Sequence, residues 1–348
     1  MKEKIRFGVI ELGMGRHHLK ILAANPNVKV TALCDIDKEI LNTLKKEFDI
    51  PQVFTDAEKM LQKAQLDAVI IATPNYLHAS QTIAALNAKL HVLCEKPMAM
   101  SASEAREMQA TARKVDKKLM INMSYRFLPA SMALKKQIEA GVLGDIYFTR
   151  TVWHRRQLIP FWGEWFHTKS LSGGGPLIDL GVHRIDLALW LMDFPGIKTI
   201  SAATYDHLGK QIATEKGKNY DVEDFAVALL RLENGAALSI EMSWATQRYE
   251  KEFMETRLYG ALGGGIHQNI GESYEFESKV FTIEGGFHTA KTFRDGPTEV
   301  PTSIDHFVDC IVNDRSPLIT GDDGVRLMEV LDGIYRSAEL GREISIEN

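Results

Sequence analysis

The sequence has little cysteine. Its three residues of that type, Cys34, Cys94 and Cys310, stand far apart with no C-x-x-C pair, so neither a disulfide framework nor a zinc site is expected, and no metal is assigned. It also lacks a long hydrophobic run. Met1 to Ile10 passes straight from charge into a short apolar segment, with no secretory leader and no bilayer-length stretch; no membrane association is expected, and the default location is the cytoplasm. No basic block or arginine-rich stripe appears among 41 Lys+Arg and 46 Asp+Glu, a net charge of −5. That balance excludes a nucleic-acid footprint. Internal repeats and low-complexity tracts are absent too.

What is present is 348 residues, 45% hydrophobic and 25% charged, the composition of a soluble globular protein. The chain is too long for one ordinary core and suits two domains. In its first third, apolar strands alternate with helical patterns: Ile5–Ile10, Val28–Cys34, Gln52–Phe54, Ala68–Ala72, Leu90–Cys94 and Leu119–Met123. Asp37, Thr55-Asp56-Ala57-Glu58 and Ser101-Ala102-Ser103-Glu104 carry helix-start signals between them. Six strands alternating with helices predict a parallel sheet wound on both faces.

The turn after the first strand bears on the ligand. A dinucleotide fold places G-x-G-x-x-G there; this chain reads Glu11-Leu12-Gly13-Met14-Gly15. Gly13 serves as the middle glycine, Gly15 falls one residue early for the third, and Glu11 holds the first position. Asp35, at the end of the second strand, is placed to bind ribose hydroxyls. Apolar Ile36 follows it where an arginine would receive a 2′-phosphate, which favours NAD while leaving NADP open. Thr73-Pro74-Asn75 ends the fourth strand on the same rim, either as an ordinary turn or as polar groups reaching the nicotinamide half. Glu95-Lys96-Pro97 ends the fifth. Pro97 disfavours helix at Lys96 and presents the lysine from extended backbone. The cofactor candidates are then Leu12, Gly13, Met14, Gly15, Asp35, Thr73, Pro74, Asn75, Glu95 and Lys96. His78 is included with them, although a plain helix residue is its simpler explanation.

After Met123 the pattern changes. Residues 1–123 read as a dinucleotide-binding domain and 124–348 as a domain for substrate and oligomerisation. Trp153 to Gly175 reads as an irregular loop crowded with aromatic and basic groups. Such a loop is either a packed surface segment or a site for a sugar-like ring. Arg155, Trp162, Trp165 and His167 within it, and Arg126 before it, are the substrate candidates. Gly173-Gly174-Gly175-Pro176 opens a helix on which Asp179, His183 and Asp186 share one face. A histidine beside carboxylates is the arrangement of a general acid/base and equally that of a core histidine satisfied by Asp186. Later strands predict a large, mostly antiparallel open sheet whose bare face needs a cover, most simply a second subunit. Residues 206–219 read as an exposed connection, and Gly263-Gly264-Gly265 as a flexible turn.

Taken in order, the N-terminal turn, Ala72-Thr73-Pro74-Asn75, Glu95-Lys96-Pro97, Tyr125-Arg126-Phe127, Gly173-Gly174-Gly175 through His183 and Asp186, Asp224 to Trp244 and Arg336 to Gly341 resemble the glucose–fructose oxidoreductase, inositol dehydrogenase and rhizopine-catabolism (Gfo/Idh/MocA) family over nearly the whole chain. The resemblance implies a Rossmann domain followed by an open-sheet α/β domain, in dimers or tetramers. It also implies nicotinamide-dependent oxidation or reduction of a sugar, cyclitol or related polyol. It places catalytic roles on Lys96, Asp179 and His183: His183 as base, Asp179 orienting it or binding a neighbouring hydroxyl, and Lys96 stabilising charge on the reacting oxygen. Catalysis is then expected in a cleft between the domains. Two other activities fit the same resemblance: a redox glycosidase that uses bound NAD transiently, and an NAD-binding metabolite sensor without turnover. The chain departs from the family pattern at Glu11 and in a turn one residue short.

Overall fold

The computed structural model describes residues 3–156, 159–160, 165–294, 296 and 301–346. By backbone contacts they form two units, Met1–Met123 with Pro301–Met328, and Ser124–Val300 with Glu329–Asn348.

In the first unit, β1 (Ile5–Ile10), β2 (Val28–Cys34), β3 (Gln52–Phe54), β4 (Ala68–Ile71), β5 (His91–Cys94) and β6 (Leu119–Ile121) form one sheet in the order β3-β2-β1-β4-β5-β6. Every adjacent pair is parallel. Parallel strands covered on both faces read as unbroken apolar runs, and Val69, Ile70 and Ile71 of β4 are almost wholly buried. Helices α1 (Gly15–Ala24), α2 (Lys38–Glu47), α3 (Ala57–Lys63), α4 (Asn75–Asn87) and α5 (Ala102–Val115) make the crossovers. Three of them start on side-chain caps: Asp37 accepts from the Glu39 and Ile40 amides, Asp56 from Lys59, and Ser101 from Glu104. Strand order reverses between β1 and β4, and the crevice beyond the strands' carboxyl ends there is where doubly wound sheets bind ligands.

Residues 301–328 belong to this unit and not to the second domain where the sequence had placed them. The pattern showed two terminal helices but not their docking partners, which are distant in sequence. The Asn25 amide donates to Asp305 at 2.8 Å, Ser303 donates to Asn122 at 2.6 Å, and Arg113 pairs with Asp322 at 2.6 Å. Phe307 meets Phe7 edge to face at 6.4 Å.

The second unit holds α6 (Pro129–Glu139), β7 (Ile146–Arg155), α7 (Lys169–Ser172), α8 (Val182–Leu191), β8 (Ile197–Tyr205), α9 (His207–Lys216), β9 (Phe225–Leu232), β10 (Ala237–Ser243), β11 (Glu252–Gly260), β12 (Gly264–Asn269), β13 (Phe276–Glu284), β14 (Phe287–Phe293) and β15 (Ile344–Ser345). The strands form one nine-stranded sheet, β14-β13-β12-β11-β7-β10-β9-β8-β15. It is antiparallel except where β10 runs parallel to β7. Chain-terminal α10 (Ser303–Val312) lies in the first unit, and α11 (Gly321–Leu340) begins there and ends in the second.

Three expectations change. The segment 206–219 is largely helix α9 rather than an open connection. Its polarity hides a local anchor: Asp224 accepts the Gly209 amide at 2.6 Å, and the Tyr220 ring sits where a Gly209 side chain would be. Gly264 and Gly265 are not a turn but the start of β12. A Cβ on Gly265 would lie 3.0 Å from Leu134 of α6, so glycine there marks close helix–sheet approach. The aromatic loop begins later than expected, because Trp153, His154 and Arg155 are the last residues of β7.

Candidate active site

In the first unit the candidate cofactor residues follow the carboxyl ends of β1, β2, β4 and β5, neighbours in the sheet. After β1, Glu11 has a left-handed backbone, φ 73°. Its Oε1 accepts from the Gly13 amide at 2.8 Å and its Oε2 from Met14 at 3.3 Å. Burial, then the charge of Asp35, raises the Glu11 pKa, while the Gly13, Met14 and Gly15 amides pull it back. A Cβ on Gly15 would lie 2.9 Å from Val9, so Gly15 performs the close helix–strand packing of a third fingerprint glycine one residue early. Leu12 is buried beneath the turn, and Met14 stands exposed on it. Asp35 is buried and accepts from the Leu12 amide at 2.7 Å and the Asp37 amide at 2.8 Å. A carboxylate has about four acceptor positions, so two remain. Ile36 beside it is exposed.

The turn suits a dinucleotide. Backbone N–H groups converge at a helix start, glycines give close approach, an acid stands at the end of β2, and an oxyanion, the Glu11 carboxylate, already rests on the N–H groups.

The Lys96 turn is braced from two sides. Glu95 accepts from the Asn122 amide at 2.6 Å and the Lys96 amide at 3.1 Å, and its Oε1 lies 2.7 Å from His18 Nε2. Burial pushes the Glu95 pKa up, but the His18 ring, Asn122 and Lys96 overcome it and hold the carboxyl at about 2. On the other side, His78 is fully buried, its Nδ1 2.7 Å from the Pro97 carbonyl and its Nε2 2.7 Å from that of Thr73. Both ring nitrogens face protein carbonyls, and burial lowers the His78 pKa, so the neutral ring donates its one N–H to one of them and bridges the Thr73 and Pro97 turns. That is where the structure places this cofactor candidate, as a brace beneath the Lys96 turn. The Thr73 hydroxyl donates to Gln81 at 3.0 Å, and Asn75, next to Pro74, is buried at the start of α4. Lys96 is half-buried, and its peptide bond to Pro97 is cis.

In the second unit, Gly174 and Gly175 are required by contact. A Cβ on Gly174 would lie 2.0 Å from the Tyr335 hydroxyl, and one on Gly175 2.0 Å from the Glu223 carbonyl. Glu223 accepts from the Gly175 and Leu177 amides and from the Tyr335 hydroxyl, at 2.9, 3.0 and 2.9 Å. Those bonds hold the entrance to Leu177–Gly181, a π-helical turn running into α8. Such turns occur often at functional sites. Asp179 in this turn accepts from Trp244 Nε1 at 3.0 Å. The His183 ring packs against Tyr125, centroids 4.9 Å apart, and Trp153 at 5.9 Å, and those two rings also meet, 5.8 Å apart.

Trp153 is fixed in turn. Glu252 Oε1 accepts from Trp153 Nε1 at 2.7 Å, Arg155 Nε at 2.8 Å and the Tyr274 hydroxyl at 2.8 Å. Burial lowers the Arg155 pKa, but the Asp179 carboxylate, the Tyr274 hydroxyl and the Glu252 carboxylate outweigh it and raise the guanidinium above its ordinary value. Asp179, His183, Trp153, Arg155, Glu252 and Tyr274 therefore form one connected aromatic and charged group. It can position a proton-accepting imidazole against a hydroxylated ring.

Of the expected substrate residues, Arg155 joins this group. Arg126 does not offer its guanidinium to a ligand: it is buried, donating to both Asp186 oxygens at 2.9 and 2.6 Å. Asp186, expected to share the face of Asp179 and His183, is thus turned to Arg126. Trp165 stacks on Phe166 at 4.0 Å, and buried His167 lies over Tyr220. Trp162 lies outside the described residues. Sequence reasoning missed Glu252, Tyr274 and Glu223. Glu252 carried a signal, since it sits in the inward register of Met254 and Leu258, where an acid must find partners. Replacing Glu252 with alanine is expected to destabilise the protein by about 1.5–3 kcal/mol and to raise the KM for substrate with NADH affinity unchanged. Urea unfolding and paired titrations measure both.

Among the described residues no cluster of three or more His, Cys, Asp or Glu is placed to hold a metal, and no helix is long and apolar enough to cross a membrane.

A family model described as "Oxidoreductase family, NAD-binding Rossmann fold" matches residues 5–123, and the "GFO/IDH/MocA C-terminal domain" matches residues 131–264. Among curated relatives, D-glucoside 3-dehydrogenase of Escherichia coli (strain K12) is 29% identical over 98% of this chain and 97% of its own. Among solved structures, a levoglucosan dehydrogenase complexed with NADH shares the fold, with a TM-score of 0.88 at 23% identity over 99% of this chain and 100% of that one. GenD2 from gentamicin A biosynthesis, solved in complex with NAD, is 25% identical with a TM-score of 0.80, covering 100% of this chain and 98% of that one. The six-stranded parallel sheet, the mostly antiparallel nine-stranded sheet and these matches agree: the chain belongs to the Gfo/Idh/MocA oxidoreductase family.

Proposed function

We propose that this protein is an NAD-dependent dehydrogenase that oxidises a secondary hydroxyl of a sugar, cyclitol or related polyol, with His183 as the base. The observation that carries the reading is the His183 ring packed against Tyr125 and Trp153, on the same helical stretch as the Asp179 that pairs with Trp244. Aromatic rings accept the apolar faces of a sugar, while the charged groups beside them bind its hydroxyls. His183 takes the hydroxyl proton, Asp179 orients the ring or binds a neighbouring hydroxyl, and Lys96 stabilises the charge that builds on the reacting oxygen. Bound NAD supplies the hydride acceptor. The Gly13–Gly15 turn seats its pyrophosphate, and the two remaining acceptor positions of Asp35 take ribose hydroxyls.

The relative named D-glucoside 3-dehydrogenase supports a glucoside as the first substrate to try. Exposed apolar residues that the strand register puts on one face of the nine-stranded sheet, Leu229, Tyr259, Phe281 and Ile283, support a homodimer or homotetramer covered through that face. The cytoplasmic location expected from the sequence stays part of this reading.

A panel of glucosides, free aldoses and inositols, assayed with NAD for NADH formation, tests the activity. Lys96→Ala is expected to lower kcat by about 10²–10³-fold, the effect of removing one group that stabilises an oxyanion, while NADH still binds. Release of an aglycone without net NADH would instead favour the redox glycosidase. NAD binding with no turnover across the panel would favour the sensor.

A further inference from the structure

The turn after β1 supplies its own anion. Glu11 stands where the fingerprint has its first glycine, in a left-handed conformation, φ 73°, that glycine takes freely and other residues take only at a cost. From there its carboxylate folds back onto the start of α1 and accepts the Gly13 and Met14 amides at 2.8 and 3.3 Å. Those are amides of the turn on which a dinucleotide fold rests its pyrophosphate. The carboxylate lies close over the turn: a Cβ on Gly13 would be 2.7 Å from Glu11 Oε1, so Glu11 fills the space that glycine at 13 leaves open.

We propose that the Glu11 carboxylate is an internal occupant of the pyrophosphate seat, which the cofactor must displace, and that Glu11 thereby sets this protein's affinity for NAD and NADH. The inference rests on the reading of the first unit as NAD-binding. One N–H donates one strong hydrogen bond, so a carboxylate and a diphosphate cannot both hold the Gly13 and Met14 amides. Two anions at that separation also repel. For the cofactor to bind, Glu11 gives up both bonds and turns away, and each binding event is an exchange of one anion for another.

The charged group that faces Glu11 from β2 is Asp35, whose oxygens accept the Leu12 and Asp37 amides. Arg16 in the same helical turn reaches Glu47 at 3.3 Å. Burial and Asp35 raise the Glu11 pKa, so protonation both neutralises the competitor and weakens its hold on the amides. Cofactor affinity therefore falls as pH rises. An exchangeable cofactor suits a dehydrogenase, which must release NADH every turnover, better than an enzyme that retains its nicotinamide through the cycle.

Fluorescence titration of NADH into the full-length protein at fixed ionic strength, from about pH 5, just above the ordinary glutamate range, to about pH 8, tests this with the wild type, Glu11→Gln and Glu11→Gly. Glutamine removes the charge at nearly constant shape, and glycine suits the left-handed backbone, so the two variants fail to fold for different reasons if either does; thermal melts check both. Each is expected to bind NADH on the order of tenfold more tightly than the wild type at pH 8. The wild type is expected to lose several-fold in affinity across the range, and both variants to give a flatter profile. Equal or weaker NADH binding by both folded variants overturns the proposal, because a merely structural glutamate would leave affinity unchanged or impair it. If neither the wild type nor either variant binds NADH, the cofactor reading itself falls and the proposal with it.

Discussion

Replacing His183 with alanine is expected to lower kcat by about 10²–10⁴-fold, the usual contribution of a positioned general base, while the affinity for NADH stays within about twofold. The imidazole packs against two aromatic rings, Tyr125 at 4.9 Å and Trp153 at 5.9 Å between centroids, and both rings are tied to other groups. Trp153 is bonded to Glu252, and the Tyr125 hydroxyl contacts Met254 Sδ at 3.7 Å. Removing the His183 side chain therefore leaves a ring-shaped gap whose walls are fastened elsewhere. Added imidazole should enter that gap and restore part of the rate, with the restoring species titrating as the free base. A histidine that served only to pack the core would show lost stability instead, and imidazole would bring back no activity. A variant with a near-normal rate across the substrate panel would remove His183 from the proton-transfer role.

The parts of this molecule that sequence made legible are those decided within a few residues. Asp37 and Ser101 cap helices because the donors they satisfy lie two or three positions on. The alternation of apolar runs with capped helices is also local, and it is enough to specify the parallel sheet. Asp179 and His183 stood out because an acid and a histidine in an apolar helix need partners.

What sequence hid depends on partners far along the chain. Arg126 sits in an aromatic tripeptide and looks like a ligand contact; its carboxylate is 60 residues away in Asp186. Glu252 meets Trp153 only because β11 pairs with β7 in one register. Residues 301–328 return to the first sheet through Asp305, Ser303 and Phe307, whose partners are more than 180 positions earlier. The direction of the Glu11 carboxylate was open for a different reason. A left-handed glutamate can aim away from the turn or into it, and the choice depends on side-chain geometry that spacing does not encode.

Arg126 gives the largest expected effect on stability. Its guanidinium and the Asp186 carboxylate are each 1% exposed, joined by two hydrogen bonds of 2.9 and 2.6 Å. The guanidinium also lies over the rings of Phe194, at 4.9 Å, and Trp190, at 5.9 Å. Changing Arg126 to methionine keeps much of the volume but leaves a carboxylate in an apolar interior without its cation. Losing one partner of such a pair is expected to lower the unfolding free energy by about 3–5 kcal/mol, read as a fall in the urea midpoint. The double variant Arg126→Met/Asp186→Leu should recover most of that loss, because two apolar side chains replace a buried pair at little net cost. Recovery separates the structural role from the substrate contact that the sequence suggested. A substrate-binding arginine would raise KM with stability intact, and removing Asp186 would restore nothing. Because Asp186 lies on α8 three residues beyond His183, the single variant should also reduce kcat by loosening the helix that carries the base. The double variant should return kcat along with the midpoint. A single variant as stable as the wild type, or a double variant no better than the single, would mean that the pair does not hold α8 in place.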